Sequence, residues 1–173
     1  MKIGIMQPYF FPYVGYYQLI NSVDKFIIYD NIKYTKKGWI NRNILNSNNS
    51  DKKITLPLMK DSDSLNIVER KLSNNWNKDK IKLLNIISSF YIKSPFYNEV
   101  FSLIEEIFSY TNSNLFYFLL NSLKKVNRYL DINTELVNSS KIKIDHSLKG
   151  KDKVLSICKK MKADNYYNAI GGK

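Results

Sequence analysis

The sequence predicts an α/β fold with a Rossmann-like parallel sheet, and three consecutive stretches near its start carry that prediction. Residues 2–6 (KIGIM) and 24–30 (DKFIIYD) are short apolar runs typical of buried strands. Between them, residues 15–23 (GYYQLINSV) carry apolar side chains at helical spacing. A strand, a helix and a strand in this order form a βαβ unit, whose two strands are parallel.

Residues 78–130 are predicted to form a mainly helical insertion in this layout, because apolar residues recur there at the spacing of one helix face. The first helix ends near Pro95, since proline cannot continue a helix. Two further helices are predicted over residues 97–110 and 115–130. The whole chain, residues 1–173, is predicted to be one domain that contains this helical subdomain.

The remaining segments complete the predicted sheet and its loops. Residues 31–43 (NIKYTKKGWINRN) are polar, basic and aromatic, which is typical of a loop that lines an active site. Pro57 places the strand predicted at residues 53–58 near a sheet edge, because proline donates no ladder hydrogen bond. The other predicted elements are a short strand or helix at 65–72, strands at 134–137 and 164–170, and a helix at 151–161.

The charge balance favours anionic partners without favouring nucleic acid. The 173 residues include 27 Lys and Arg against 15 Asp and Glu, a formal net charge of +12. Arginine occurs only at Arg42, Arg70 and Arg128, so lysine scattered along the chain provides most of the positive charge. Base-reading and phosphate-binding surfaces rely more heavily on arginine. A nucleotide-sugar or another anionic small molecule is therefore the expected partner, and nucleic acid is not.

Cysteine and histidine are rare in this chain, which limits the disulfides and metal sites that it can form. The single cysteine, Cys158, excludes an internal disulfide and a cysteine-based zinc site, and the single histidine, His146, excludes a histidine cluster. We therefore expect no metal and no cofactor. No signal peptide and no run of about 18 apolar residues is visible, so we expect no membrane span and a cytoplasmic location. Homo-oligomerisation stays open.

The loop after the first predicted strand (QPYFFPYVGYY, residues 7–17) is the first candidate ligand site, because ligands of parallel α/β proteins bind where strands end. Prolines stiffen this loop, and its aromatic rings offer flat faces for stacking on a base or a sugar. The helix that begins near Gly15 offers the positive end of its dipole to a phosphate. Alternatively, the rings only fill the core. The candidate ligand-binding residues are Gln7, Tyr9, Phe11, Tyr13, Gly15 and Tyr16.

The polar loop at residues 31–43 supplies a second set of candidates. Arg42 stands out in a chain that otherwise uses lysine, and Asp30 lies at the end of the second predicted strand, so both are catalytic candidates. Two alternatives stay open: Arg42 forms a structural ion pair with Asp30, or Asp30 caps a helix. The candidates for binding phosphate and sugar hydroxyls are Lys36, Trp39, Asn41 and Asn43.

Two features in the last third of the chain complete the candidates. His146 is the only histidine, the residue type that exchanges protons near neutral pH, so it is a catalytic candidate if the protein is an enzyme. A solvated turn is the alternative reading of its loop. Gly171 and Gly172 follow the last predicted strand and are candidates for a backbone turn around a ligand phosphate. Cys158 lies in an apolar helical run and is expected to be buried core.

Four stretches of the chain carry a family resemblance: MQPYFFPYVGYYQLINSVDKFIIYDNIKYTKKGWINRN (6–43), YIKSPFY (91–97), SSKI (139–142) and KGKDKVLSICKKMKADNYYNAIGG (149–172). They resemble the WbqC-like family, which occurs in bacterial surface-polysaccharide gene clusters. The resemblance covers essentially the whole chain and implies a role in the biosynthesis of O-antigen or another surface polysaccharide. Members of the family continue beyond the Gly-Gly pair, so the resemblance also implies a further strand and helix after Lys173.

A second similarity is one of layout. A strand, a loop, a helix that starts Gly-x-x-x-Leu at Gly15 and a strand that ends in Asp are similar to HIGH-motif nucleotidylyltransferases and pantothenate synthetases. Those enzymes hold a nucleotide phosphate at the start of the first helix. The two histidines of the HIGH motif are absent here, and Phe11 or Tyr13 and Tyr16 stand approximately in their places. The resemblance therefore implies a shared layout without adenylyl transfer.

Three functions remain as hypotheses. The leading one is an enzyme of surface-polysaccharide biosynthesis that acts on a nucleotide-activated sugar, with acyl or aminoacyl transfer to an amino sugar as its reaction. The first alternative is a non-catalytic protein that binds a nucleotide-sugar or a partner enzyme. The second is nucleic-acid binding through the lysine excess. The sequence contains no GxSxG or GxGxxG motif, so it leaves open whether the protein is an enzyme.

Overall fold

The computed structural model describes residues 1–47 and 50–169 and has the α/β architecture that the sequence predicts. Four strands form one sheet in which every pair of neighbours is parallel, and two more strands form a separate hairpin. The strands are β1 (Lys2–Met6), β2 (Lys25–Ile28), β3 (Arg42–Ser47), β4 (Ser50–Thr55), β5 (Glu135–Asn138) and β6 (Asn165–Tyr167). The helices are α1 (Val14–Asn21), α2 (Trp76–Tyr91), α3 (Tyr97–Phe108), α4 (Leu115–Tyr129) and α5 (Gly150–Met161).

The first βαβ unit is confirmed. Strands β1 and β2 lie side by side in parallel, with Ile3 opposite Lys25 and Met6 opposite Ile28, and α1 connects them. Strand β5 joins the far side of β2, and β6 joins the far side of β1. The order β5-β2-β1-β6 is therefore 3-2-1-4 when the parallel strands are counted along the chain, as in the first half of a Rossmann sheet.

The two faces of the sheet carry separate cores, because side chains alternate along each strand. Phe26 and Ile28 face α1 and belong to the large core that also includes the helical insertion. Ile5 and Ile27 face the other way and pack with Ile157 of α5. The sheet is thus covered by helices on both faces, as parallel sheets require.

The hairpin departs from the prediction for residues 53–58. The strand observed there, β4, runs from Ser50 to Thr55 and ends two residues before Pro57. It pairs antiparallel with β3 and does not join the parallel sheet. The predicted loop at residues 31–43 ends where β3 begins, at Arg42. The segment predicted as a short strand or helix at 65–72 contains a 3₁₀ helix over Ile67–Glu69.

An aromatic cluster ties the helical insertion to the loop that follows β1. The ring of Phe108 stacks on Trp76 with centroids 5.7 Å apart, and it meets Phe118 edge-on at the same distance. The same ring lies 6.3 Å from Phe10 and 6.2 Å from Phe11. Side chains from α2, α3, α4 and the loop therefore share one buried contact, which positions the loop against the helices.

Replacing Phe108 with alanine is expected to lower the free energy of unfolding by about 3–5 kcal/mol, because it leaves a cavity among four rings. Urea unfolding of the purified protein measures the loss. The matched control is Phe96→Ala, since Phe96 is 74% exposed and its loss should cost no more than about 0.5 kcal/mol. Equal losses in the two variants would contradict the assignment of Phe108 to the core.

Candidate functional site

The carboxyl ends of the parallel strands bring two candidates and one further serine to one edge of the sheet. Gln7 follows β1, Asp30 lies two residues after β2, and Ser139 follows β5 directly. The 3-2-1-4 order places the switch in strand order between β1 and β6, which is where open α/β sheets form their ligand crevice. The loop that begins at Gln7 therefore starts beside this crevice.

Asp30 is buried and its carboxylate is held by two serines from the end of β5. Oδ1 accepts hydrogen bonds from the Ser139 hydroxyl at 2.8 Å and from the Ser140 backbone N–H at 2.9 Å. Oδ2 accepts a hydrogen bond from the Ser140 hydroxyl. The Asp30 backbone N–H in turn donates to Ser139 Oγ at 3.3 Å. Asp30 therefore links the ends of β2 and β5 and has a fixed position.

Asn31 connects this carboxylate to the two remaining polar groups of the cluster. Its Oδ1 lies 2.7 Å from Ser139 Oγ and accepts a hydrogen bond from Lys153 Nζ at 3.3 Å. Because Oδ1 faces the lysine ammonium, Nδ2 faces the other way and donates to Nδ1 of His146 at 2.8 Å. In the neutral ring, the proton of His146 is then on Nε2, and the ring is exposed.

Lys153 is buried although it carries a charge. Its side chain lies on the first turns of α5, only 4% exposed, and its Nζ also donates to the Asn31 carbonyl oxygen at 3.3 Å. Burial lowers the pKa of this ammonium, and the nearby Asp30 carboxylate partly opposes the change. The cluster thus pairs a buried carboxylate with a buried amine through one amide side chain.

The loop after β1 is stiff for reasons beyond its prolines. Phe11 has a left-handed backbone with φ of 48°. Asn43 Nδ2 donates to the carbonyl oxygens of both Phe10 and Phe11, which holds this unusual turn. Tyr16 is buried and donates its hydroxyl proton to the Gln7 carbonyl oxygen at 2.8 Å. The structure therefore uses Asn43 and Tyr16 to support the loop, and it leaves neither free to contact a ligand.

Two aromatic side chains remain available beside this scaffold. Tyr13 is 63% exposed, and Trp39 is 49% exposed. The Tyr13 ring lies over Gly15, where an added Cβ would come within 2.3 Å of it. Tyr9 is half-buried, with its ring centroid 5.7 Å from that of Tyr16. Of the six candidates in this loop, Tyr13 presents the ring face most suited to stacking.

The candidates of the polar loop have separate environments. Asn41 is buried, accepts the Tyr34 hydroxyl proton at 2.7 Å and donates to the Leu56 carbonyl oxygen at 2.8 Å, so its amide is structural. Lys36 forms an ion pair with Asp63 at 2.5 Å. The ion pair between Arg42 and Asp30 does not form: Asp30 bonds the serines instead. Gly171 and Gly172 lie outside the described residues.

Sequence reasoning identified Asp30 and His146 and missed the residues that connect them. Ser139 and Asn31 are ordinary polar residues in a serine- and asparagine-rich chain, so their types carried no signal. Lys153 did carry one, because it lies in line with Ile157 and Met161 at i, i+4 and i+8 on the buried face of α5. A lysine on an apolar stripe indicates either a paired charge or a site. Cys158 is half-buried, and burial raises the pKa of its thiol.

A membrane-spanning helix and a metal-binding group of side chains are both absent from the described part of the chain. No helix within residues 1–47 and 50–169 has both the length and the apolar composition that crossing a bilayer requires. Across the same residues, no three His, Cys, Asp or Glu side chains gather in a group that could hold a metal ion.

The chain matches one protein family over most of its length. A model of the WbqC-like protein family matches residues 7–173, nearly the whole chain. The chain belongs to this family. It is also similar to the uncharacterized protein Rv1507c of Mycobacterium tuberculosis (strain ATCC 25618 / H37Rv), with 44% identity over 57 residues. That stretch is 33% of this WbqC-like chain and only 25% of the mycobacterial protein. No solved structure matches the chain.

Asp30→Asn is expected to lower the free energy of unfolding by about 1–3 kcal/mol, because the new NH₂ group would face a hydrogen-bond donor where a carboxylate oxygen accepted one. Thermal unfolding measures the change. Asp131→Asn is the matched control: Asp131 is exposed, with a left-handed φ of 55° that asparagine tolerates. Identical midpoints for both variants would show that the serines do not hold Asp30.

The lowered pKa of Lys153 has a stability consequence with a definite sign. Between its pKa in the folded protein and its ordinary value of 10.5, the unfolded chain binds more protons, so the stability contribution of this group rises with pH. Relative to Lys153→Met, the wild type should therefore gain free energy of unfolding as the pH rises towards 10.5. Urea unfolding at several pH values tests this. Lys151→Met, an exposed change in the same helix, should show a flat difference.

Proposed function

We propose that this WbqC-like protein is a cytoplasmic transferase of surface-polysaccharide biosynthesis that acts on a nucleotide-activated amino sugar. The group transferred is an acyl or aminoacyl group. The family relationship supports the pathway, and the strand order supports a nucleotide site at the carboxyl edge of the sheet. The single observation that carries the proposal is the connected cluster of Asp30, Asn31, Lys153 and His146 at that edge.

The cluster suits chemistry because only one of its groups is exposed. Asp30 is buried and accepts hydrogen bonds from both serines, so it acts as a positioning residue and does not take a proton from the substrate. Through Ser139 and Asn31 it fixes the histidine ring. The Nε2–H of His146 is then the donor that the site offers to a bound substrate.

The proposed reaction begins when the amine nitrogen of the sugar attacks the carbonyl carbon of an activated acyl donor such as a thioester. Negative charge develops on the carbonyl oxygen, and the Nε2–H of His146 donates a hydrogen bond to it. The C–S bond then breaks, the thiolate leaves, and the amine proton passes to solvent. Lys153 adds positive charge on the other side of the Asn31 amide without reaching the surface, because its ammonium is held by Asn31.

The remaining candidates serve binding in this proposal. Tyr13 and Trp39 are exposed and would stack on the base or the sugar. Gly15 lies at the start of α1, near the switch in strand order, where the helix dipole favours a phosphate. The same groups would serve a protein that binds a nucleotide-sugar without transforming it, so exposure of the aromatics alone does not separate a transferase from a binding protein.

The test combines binding with turnover. Thermal shift measurements with UDP- and dTDP-linked amino sugars, at fixed moderate salt, should show stabilisation by one nucleotide class. With an acyl thioester added, the wild type should then form an acylated sugar nucleotide detectable by mass spectrometry. His146→Ala should keep the thermal shift and lose about 10²–10³-fold of the turnover, because alanine has no N–H to donate to the carbonyl oxygen. Ser147→Ala is the control, because Ser147 bonds only Asp145 in the same loop.

The outcomes separate the candidate functions. A thermal shift with no product in the wild type would favour the binding protein. A shift with an oligonucleotide alone, falling steeply as salt rises, would favour nucleic-acid binding and overturn the proposal. Unchanged turnover in His146→Ala would remove the histidine from the reaction while leaving the sugar nucleotide as substrate.

A further inference from the structure

Two of the three arginines in this chain lie beside the same tyrosine. The guanidinium carbon of Arg70 lies 4.9 Å from the ring centroid of Tyr34. Arg42 follows Asn41, the residue that accepts the Tyr34 hydroxyl proton. Lysine supplies nearly all other positive charge in the chain, so arginine at both positions suggests that the planar, multidentate guanidinium is needed here.

Arg70 is buried without the partners that a guanidinium requires. It is only 5% exposed, its Nη1 donates to the Ser62 carbonyl oxygen at 3.0 Å, and its Nε has no hydrogen-bond partner. The Nε of Arg42 is also buried without a partner. Among the ion pairs of the described residues, none includes either arginine. Burying a cation in this way is costly unless an anion is supplied at some stage.

Positive charge is concentrated around the side chain of Tyr34. Its backbone N–H donates to the Leu65 carbonyl oxygen at 3.0 Å and its hydroxyl donates to Asn41 at 2.7 Å, so both ends of the residue are held. Burial raises the pKa of the Tyr34 hydroxyl, while the charges of Arg42, Arg70 and Lys36 act in the opposite direction. Three cations therefore act on one ring.

The cover consists of an exposed acidic segment, Lys60–Ser64 (KDSDS). Its Ser62 carbonyl oxygen accepts a hydrogen bond from Arg70. Its Asp63 carboxylate forms the ion pair with Lys36 at 2.5 Å. The hydrogen bond from Lys36, together with the charges of Lys36, Arg70 and Lys33, lowers the pKa of Asp63. Several cations therefore act on the Asp63 carboxylate. It bonds directly to Lys36, the most exposed of the three cations around Tyr34.

We propose that Arg42, Arg70 and Lys36 form a binding site for a phosphoryl group, and that Ser62 and Asp63 occupy its oxygen positions in the free protein. A phosphate displaces the Lys60–Ser64 segment and takes over its contacts, with two negative charges and three oxygens where the segment offers one charge. Assigning this phosphate to the diphosphate of a nucleotide-sugar rests on the function proposed above. The site itself does not, because any phosphate ester of suitable size would fit the same chemistry.

The experiment measures pyrophosphate binding by titration calorimetry at fixed salt. Asp63→Asn removes the internal competitor and should bind pyrophosphate about 3–10-fold more tightly than the wild type. Asp61→Asn is the matched control, because it makes the same charge change two residues away, at a carboxylate that bonds only its own segment. Arg70→Lys and Arg42→Lys should each weaken binding about 10-fold or more. Lysine keeps the positive charge but lacks the planar guanidinium, which can donate two parallel hydrogen bonds to phosphate oxygens. Arg128→Lys, on the exposed surface of α4, should change nothing.

Equal affinities in Asp63→Asn and Asp61→Asn would overturn the proposal, and so would arginine variants that bind as well as Arg128→Lys. If Arg70→Lys fails to fold, the comparison of the two aspartate variants still decides. The outcome is separate from that of the proposed function. Pyrophosphate binding without any shift by sugar nucleotides would keep the site and reject the substrate. A sugar-nucleotide shift unaffected by Arg42→Lys would do the reverse.

Discussion

The buried carboxylate of Asp30 is the interaction on which the rest of the sheet edge depends. It lies where β2 has ended, yet its hydrogen-bond donors come from the residues after β5, 109 and 110 positions later in the sequence. The backbone carbonyl oxygen of Asp30 also accepts a hydrogen bond from the Val68 N–H at 3.0 Å. This bond attaches the 3₁₀ segment to the same point. A carboxylate with this many donors cannot move without leaving several buried groups unsatisfied, so the positions of Asn31, and through it Lys153 and His146, follow from it.

The loop after β1 shows how a stiff scaffold and an adaptable surface can coexist. Asn43, which the sequence suggested as a ligand group, satisfies the carbonyl oxygens of the left-handed turn at Phe11. Without that amide the two oxygens would be left without this donor beside the aromatic core. The buried face of the loop is therefore committed to structure, and its exposed Tyr13 is carried on a rigid support. Rigid supports reduce the ordering cost of binding, which is the physical advantage of placing prolines there.

The sequence was sufficient for the sheet and insufficient for the site, and the reason is the range of the interactions. Strands β1 and β2 and helix α1 are local patterns of apolar residues, so periodicity finds them. The strand predicted at residues 53–58 overlaps β4, but β3 and its pairing with β4 were missed because the hairpin's residues are mostly polar and lack the clean alternation of a half-buried strand. Asp30 was found from its place at a strand end. Its serines and the lysine of α5 could not be assigned to it, because only the folded chain brings them together across more than 100 residues.

Lys153 and Arg70, the two cations that are buried among the described residues, differ in one decisive respect. Lys153 has the Asp30 carboxylate nearby and an amide oxygen and a carbonyl oxygen on its ammonium, so the folded chain compensates its charge from within. Arg70 has one carbonyl oxygen and an aromatic face, and the Asp63 carboxylate, on which its charge acts, is engaged with Lys36 on an exposed segment. A cation that the fold compensates can be explained by structure alone. Arg70 is only partly compensated, and an exposed segment covers it. Such a cation is better explained by a partner that brings its own negative charge.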